Sequence, residues 1–83
     1  MPRAFLSTAF PASSAIDFAS YDPERLRLEI WFSGGDRYTY FDVPIDIYEQ
    51  LCAAPSAGEY VNRHIKPHFR CEIEARRRRF RPR

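Results

Sequence analysis

The chain has 83 residues, of which 45% are hydrophobic, 16% aromatic and 29% charged. This composition supports a hydrophobic core and excludes the weakly hydrophobic, highly charged class of disordered proteins. The length allows one small domain, which buries roughly 60% of the surface that its unfolded chain exposes. The sequence lacks the 18 or more consecutive apolar residues of a membrane-spanning helix, so no membrane partner is expected.

The net charge of +2 conceals an asymmetry along the chain. Residues 76–83, RRRRFRPR, hold six of the 13 basic residues and no acidic one, whereas residues 1–75 carry 7 basic and 11 acidic residues, a net charge of −4. All but one of the basic residues are Arg, which fits either phosphate recognition by guanidinium groups or a genome rich in G and C. A charge-based affinity for nucleic acid therefore depends on eight residues.

Residues 1–12 are predicted to form a loosely held N-terminal arm, because Pro11 and the small residues around it offer little to pack. The apolar patch near the start is interrupted by Ser7 and Thr8 and has no basic cluster before it, so it is not expected to act as a secretory leader. We therefore expect a cytoplasmic protein with reduced cysteines.

Two segments with alternating apolar residues follow the arm and predict strands. In residues 13–21, Ile16 and Phe18 occupy alternate positions, and the Asp-Pro step that comes next favours a turn. Residues 24–33, ERLRLEIWFS, predict a half-buried strand with two distinct faces. One face carries Leu26, Leu28, Ile30 and Phe32, and the other carries Arg25, Arg27, Glu29 and Trp31.

The stretch FSGGDRYTYF, residues 32–41, predicts a hairpin whose loop length decides where two tyrosines point. A two-residue glycine turn would place Tyr38 opposite Trp31 on the polar face and create an exposed aromatic platform suited to stacking bases. A three-residue loop, with Gly35 left-handed as a G1 bulge, would instead place Tyr38 and Tyr40 on the aliphatic face. The loop composition by itself is compatible with both registers.

Helical spacing then replaces the strand pattern. Pro44 suits the first position of a helix, and the apolar residues that follow predict a helix over residues 44–54. Ser56 has capping-box spacing with a glutamate three residues later, which predicts a second helix over residues 57–66. Pro67 ends this second helix.

The predicted fold is α+β, a three-stranded antiparallel meander with two short helices packed on one face. Residues 13–69 form the predicted domain, and residues 70–83 are assigned to an Arg-rich C-terminal tail. A short fourth strand around residues 69–73 is an alternative for the start of that tail.

An ordered set of residues at compatible spacings covers residues 13–69. Its members are Tyr21, Asp22, Leu28, Ile30, Phe32, Gly35, Tyr38, Tyr40, Val43, Pro44, Tyr48, Leu51, Ala54, Ser56, Gly58, Tyr60, Asn62 and Ile65. This pattern resembles the KTSC domain, named for the C-terminus of some lysyl-tRNA synthetases. The resemblance implies a small, mostly bacterial and phage-associated domain with a Tyr-x-Tyr centre and no established molecular function. RNA binding is implied only by the synthetase context.

The spacing shared with that family favours the three-residue hairpin loop, because its glycine coincides with Gly35 at the third loop position. The tyrosines would then point into the core, and the opposite face would hold two large aromatic residues among arginines. Such an apolar patch with a charged rim is typical of an interaction site, unless the N-terminal arm or a further strand covers it. The predicted members of this face are Arg25, Arg27, Glu29, Trp31, Arg37, Thr39 and Phe41.

Four potential zinc ligands occur in the sequence, but their spacing does not support a metal site. They are Cys52, His64, His68 and Cys71. Pro67 separates the two histidines, and neither cysteine belongs to a CxxC pair. Serines such as Ser14 and Ser56 lie outside any nucleophile-elbow motif, and the glycines match no phosphate-binding loop. We therefore expect no metal, no cofactor and no enzymatic activity.

The function predicted from these features is non-enzymatic nucleic-acid binding, with RNA as the expected ligand. Arginine side chains would contact phosphates while aromatic side chains on the sheet stack on bases. The alternative is a protein-protein interaction or assembly module that acts through the same sheet face or an edge strand. The oligomeric state stays open. The predicted binding residues are Arg25, Arg27, Trp31, Arg37, Phe41, Arg76, Arg77, Arg78, Arg79, Arg81 and Arg83.

Overall fold

The computed structural model describes residues 5–74, which form a five-stranded antiparallel sheet and two helical segments. The strand order is β1-β2-β3-β4-β5, so each strand lies beside the strands that precede and follow it in sequence. The elements are β1 (Leu6–Ala9), β2 (Ile16–Asp22), β3 (Arg27–Phe32), β4 (Arg37–Tyr40), α1 (Ile45–Ala53), α2 (Ala57–Tyr60), which continues as a π-helical turn (Val61–Ile65), and β5 (Cys71–Glu74).

The prediction of three strands is wrong, because the sheet has two further strands at its edges. β1 lies in the segment predicted as an N-terminal arm, and β5 lies in the segment predicted as the tail. Both pair along their whole length with a predicted strand, β1 with β2 and β5 with β4. They satisfy backbone groups that would otherwise line two open edges. β5 corresponds to the alternative of a short fourth strand around residues 69–73, whereas the short alternation in β1 is not distinguishable from a loop.

A β-bulge in β2 separates two residues that were predicted to share a face. Ile16 pairs with Phe32 whereas Phe18 pairs with Trp31, so β2 contains one extra residue, Asp17, at this point. The extra residue reverses the alternation of side chains. Ile16 is therefore fully buried in the core, while Phe18 lies on the other face of the sheet against Trp31.

The connection between β2 and β3 is organised by the carboxylate of Asp22, which is 6% exposed. Its Oδ1 accepts hydrogen bonds from two following backbone N–H groups at 3.0 and 3.3 Å, and its Oδ2 pairs with the guanidinium of Arg25 at 3.3 Å. Leu26 has a positive φ of 56° and is 41% exposed. The prediction that Arg25 and Leu26 belong to a strand is therefore wrong, and β3 begins at Arg27.

The hairpin between β3 and β4 has a three-residue loop. The N–H of Gly35 donates to the C=O of Phe32 at 2.9 Å, and Gly35 has a φ of 103°. In this register Tyr38 and Tyr40 pair with the two aliphatic residues of β3. Tyr40 is fully buried and Tyr38 is half-buried, so both rings point to the same side as the aliphatic core.

Replacing Gly35 with Ala is expected to destabilise the domain by about 1–2 kcal/mol, because a Cβ is strained at this positive φ. The neighbouring Gly34 provides a control, since a Cβ added there meets no atom within 4 Å. Urea denaturation should show a lower midpoint for Gly35→Ala and an unchanged or slightly higher one for Gly34→Ala. Equal losses in the two variants would contradict the proposed role of the left-handed glycine.

The core lies between the sheet and the helices. The Tyr21 ring stacks on Tyr48 of α1 at 5.4 Å between centroids, and the Tyr21 hydroxyl donates to the C=O of Val43 at 2.5 Å. Thr8 of β1 shares a 2.8 Å hydrogen bond with the Tyr48 hydroxyl, which holds α1 over the β1 side of the sheet. The fully buried members are Ile16, Ala19, Tyr21, Leu28, Ile30, Tyr40, Val43, Leu51, Val61 and Ile65.

The two helical segments begin close to their predicted positions. Pro44 is the residue before α1, with an extended backbone at φ −69° and ψ 155°, so the helix begins one residue later than predicted. The Ser56 hydroxyl accepts a hydrogen bond from the N–H of Glu59 at 3.3 Å and caps α2. The N–H of Lys66 donates to the C=O of Val61 at 2.8 Å, the i to i+5 spacing of a π-helical turn. Among residues 5–74, no helix is long and apolar enough to cross a membrane.

Candidate nucleic-acid interface

The face of the sheet that points away from the core is called here the outer face. Side chains alternate along a strand and directly paired residues share a face, so the register assigns its members. Trp31 lies on this face, because the residues next to it on β3 point toward the core. The outer face comprises Ser7, Ala9, Phe18, Ser20, Asp22, Arg27, Glu29, Trp31, Arg37, Thr39, Glu72 and Glu74, with Phe41 and Arg70 at one end.

One end of the outer face carries a group that we call the Trp31 cluster, formed by Phe18, Trp31 and Arg37. The two rings meet edge to face with centroids 5.3 Å apart, and the Arg37 guanidinium lies 5.7 Å from the centre of the indole. Arg37 also forms ion pairs with Glu74 on β5 and, at 4.0 Å, with Glu29 on β3. Trp31 is therefore half-buried, with a cation above its ring.

The other end carries a second group, the Phe41 cluster, formed by Arg27, Phe41 and Arg70. The guanidinium of Arg27 lies 5.3 Å from the centre of the Phe41 ring, and that of Arg70 lies 5.0 Å from it. The N–H of Phe41 donates to the C=O of Arg70 at 3.0 Å, which holds the two residues side by side. Sequence reasoning missed Arg70 because it assigned residues 70–83 to a tail.

The two clusters are separate, so the predicted single apolar patch containing Trp31 and Phe41 is wrong. Arg27 and Trp31 lie four residues apart on β3, which corresponds to about 13 Å along the strand. The surface between the clusters is polar and includes Glu29 and Thr39. Phe18, which alternates with the buried Ile16 in the sequence, supplies the second ring of the Trp31 cluster because of the bulge in β2.

The described part of the outer face has no excess of positive charge. Its charged members are three basic and four acidic residues, which are Arg27, Arg37, Arg70, Asp22, Glu29, Glu72 and Glu74. Arg25 lies in the β2–β3 turn, where its charge is paired with Asp22. Attraction of a polyanion over a distance would therefore come from elsewhere in the chain. The predicted phosphate-binding residues Arg76, Arg77, Arg78, Arg79, Arg81 and Arg83 lie outside the described residues.

The last described strand ends beside the Trp31 cluster. Glu74, the final residue of β5, pairs with Arg37, and Arg37 in turn pairs with Trp31 across β4 and β3. Only Ala75 lies between Glu74 and the first arginine of residues 76–83. The Arg-rich segment therefore follows in sequence shortly after the strand that borders the Trp31 cluster.

The candidate metal ligands do not converge. Cys52 lies on α1 near β1, with its Sγ 3.4 Å from the Thr8 hydroxyl, whereas Cys71 lies on β5 at the opposite edge of the sheet. Within residues 5–74, no three His, Cys, Asp or Glu side chains are grouped as metal ligands would be. His64 packs against Tyr60 with ring centroids 4.7 Å apart.

A groove of about 370 Å³ lies between the β1–β2 loop and the junction of α1 and α2. Its lining consists of small side chains, prolines and Phe10, without a titratable group. Gly58 belongs to this lining, and a Cβ added to it would approach the Ala15 Cβ to 3.1 Å. The groove therefore reflects close packing of a loop on a helix, and it provides no acid, base or charged ligand.

Comparisons with known proteins agree with the fold. A family model described as the KTSC domain matches residues 12–69, which is more than half of the chain. The chain belongs to the KTSC domain family. A KTSC domain protein from Yersinia pestis, whose crystal structure is known, superimposes with a TM-score of 0.74 at 33% sequence identity. The similarity covers 83% of this chain and 96% of the Yersinia chain.

KTSC relatives occur both as short proteins and as parts of larger ones. A protein from Tsukamurella paurometabola is 47% identical over 58 residues, which cover 70% of this chain and 87% of that protein. A lysine–tRNA ligase from Nostoc sp. is 39% identical over 62 residues, which cover 75% of this chain but 11% of the ligase. The KTSC domain therefore corresponds to a small part of that enzyme and to most of the Tsukamurella protein.

Proposed function

We propose that this KTSC domain binds single-stranded RNA through two elements, the Arg-rich residues 76–83 and the Trp31 cluster. The observation that carries the proposal is that β5 ends beside Arg37 and that the arginines follow in sequence after one residue. Arginines would neutralise phosphates, and the aromatic cluster would provide a stacking surface for bases. The role is one of binding, without catalysis.

Stacking is compatible with the position of Arg37 above the indole. Unpaired RNA bases stack both on aromatic rings and on guanidinium planes, so a base has two ways to bind this cluster. It can stack on Arg37 as the next layer, or it can replace Arg37 above Trp31 while that guanidinium keeps its ion pair with Glu74. The Phe41 cluster offers the same chemistry, and Arg27 and Phe41 are proposed to extend the contact along the face.

The similarity to lysine–tRNA ligases supports RNA as the ligand class, because those enzymes act on tRNA, as their name states. The matched region covers 11% of the ligase, so it does not transfer the ligase reaction to this chain. A module appended to such an enzyme would contribute affinity for RNA without base specificity. An RNA ligand is consistent with a cytoplasmic location.

Trp31 is the only tryptophan in the chain, so its fluorescence directly reports stacking. Titration with a short single-stranded RNA should quench the indole emission, and Trp31→Ala should weaken binding about tenfold, at the low end of the energy of one stacked base. Trp31→Phe, which keeps a ring, should retain most of the affinity. Ile45→Ala is a control because Ile45 is 42% exposed on α1, away from the outer face. Tight binding without quenching would contradict the proposed site.

A further inference from the structure

The two edges of the sheet differ in charge. β5 carries Glu72 and Glu74, whereas β1 has the sequence LSTA and no charged residue occurs between residues 4 and 16. Charged side chains on an edge strand oppose pairing with another chain, and their absence leaves an edge open to it. β1 is thus the edge of this sheet that lacks this protection.

The direction of the β1 backbone groups follows from one hydrogen bond. The N–H of Phe10 donates to the C=O of Asp17 at 3.0 Å, so Phe10 points its backbone groups toward β2. Backbone groups alternate in direction along a strand, so Thr8 also points toward β2, whereas Ser7 and Ala9 point away from the sheet. Among residues 5–74, no strand lies beyond β1 on that side.

We propose that two copies of this chain pair antiparallel through β1 and form a continuous ten-stranded sheet. A two-fold axis at Thr8 sets Ser7 of each copy opposite Ala9 of the other, which uses the outward backbone groups of both residues and gives four hydrogen bonds. Thr8 then faces Thr8 of the second copy, and Leu6 faces Phe10. All these side chains are uncharged, so the edge is complementary to itself.

The second edge does not offer this complementarity. In a β5–β5 pairing, Glu72 and Glu74 of both copies would lie close together, and like charges on paired strands are destabilising. A partner that used β5 would need basic side chains. The neutral β1 edge therefore favours a second copy of the same chain, and the assembly does not depend on the proposed RNA binding.

The pairing makes a geometric prediction for the two cysteines. Cys52 Sγ lies 3.4 Å from the Thr8 hydroxyl, and directly paired residues have Cα atoms about 5 Å apart. The two Cys52 thiols should therefore lie within reach of a bismaleimide about 10 Å long. Cys71 lies on β5, four strands away from the pairing edge, so the two Cys71 residues should be about 40 Å apart.

The association is tested by sedimentation equilibrium of the RNA-free protein over a concentration series. The natural chain should show a monomer–dimer equilibrium, and Ser7→Lys, which brings charge to the edge, should weaken the dimer at least about tenfold. Asn62→Lys adds the same charge on the π-helical turn, where Asn62 is exposed, and should dimerise like the natural chain. A natural chain that is monomeric at every concentration would overturn the proposal, as would equal dimerisation of the Ser7→Lys variant.

Crosslinking provides a second test that needs no variant of β1. The bismaleimide should join copies of the Cys71→Ser variant through Cys52 and should leave the Cys52→Ser variant, which keeps Cys71, without a crosslink. The reverse pattern would assign the interface to β5 and refute pairing through β1. RNA binding is measured separately on the same proteins, so failure of dimerisation and failure of RNA binding are distinguishable.

Discussion

Removing residues 76–83 is expected to abolish most of the affinity for RNA and nearly all of its dependence on salt. Six arginines that each neutralise one phosphate predict a slope of about −4 for log K against log salt on a single strand. Affinity of the full chain should then fall a few hundredfold between about 50 and 200 mM salt. The truncated chain should show a slope near zero, because the described outer face has no net positive charge.

Two full-length variants separate charge from arginine chemistry in this experiment. Changing the six arginines of residues 76–83 to Gln should reproduce the truncation, whereas changing them to Lys should keep the salt slope and lose only bidentate contacts. Fluorescence anisotropy of a labelled RNA measures both quantities. Full affinity and an unchanged slope in the Gln variant would show that these arginines do not bind phosphate. Circular dichroism of each variant checks that the sheet is intact.

The central hairpin and the helix starts were predictable because their signals are local. The two glycines indicated the hairpin but left two registers open. The spacing shared with the KTSC family selected the register in which Gly35, with its positive φ at the third loop position, places Tyr38 and Tyr40 on the core side. Ser56 caps α2 by a hydrogen bond to a residue three positions later. These interactions span only a few residues, so sequence spacing specifies them directly.

The missed features all depend on residues that are distant in sequence. Nothing in the sequence LSTA indicates that Thr8 shares a hydrogen bond with Tyr48, a residue 40 positions later. This hydrogen bond connects the edge strand β1 to α1. The bulge at Asp17 likewise has no local signal in the alternation of Ile16 and Phe18. Arg70 reaches Phe41 only because β5 returns beside β4. Pairing between distant segments is set by the assembled sheet rather than by local propensity.

The residues that carry the KTSC resemblance describe the core more than a binding site. Tyr21, Leu28, Ile30, Leu51 and Ile65 are fully buried between the sheet and the helices. The Trp31 cluster and the Phe41 cluster contain none of the matching positions. Membership of the family therefore explains why the chain folds as it does, and the proposed RNA contacts are properties of this chain that need their own tests.

Two buried tyrosines of the core should respond in opposite ways to loss of their hydroxyl groups. Tyr21 and Tyr40 are both fully buried, but the Tyr21 hydroxyl donates to the C=O of Val43 at 2.5 Å, whereas the Tyr40 hydroxyl has no hydrogen-bond partner among residues 5–74. Burial, together with the nearby Cys71 thiol and the Tyr38 phenol, raises the pKa of Tyr40, so its phenol stays protonated at neutral pH. Its desolvated hydroxyl therefore costs stability without a compensating bond.

Tyr21→Phe is expected to lower the free energy of unfolding by about 1–3 kcal/mol, because it leaves the Val43 carbonyl without this donor. Tyr40→Phe keeps the ring, removes an unpaired polar group, and is expected to leave stability unchanged or raise it by about 1 kcal/mol. Urea denaturation of the two variants beside the natural chain measures both changes. If Tyr40→Phe were as destabilising as Tyr21→Phe, the Tyr40 hydroxyl would have a partner such as a buried water molecule, and the core beneath β4 would be more polar than its protein contacts indicate.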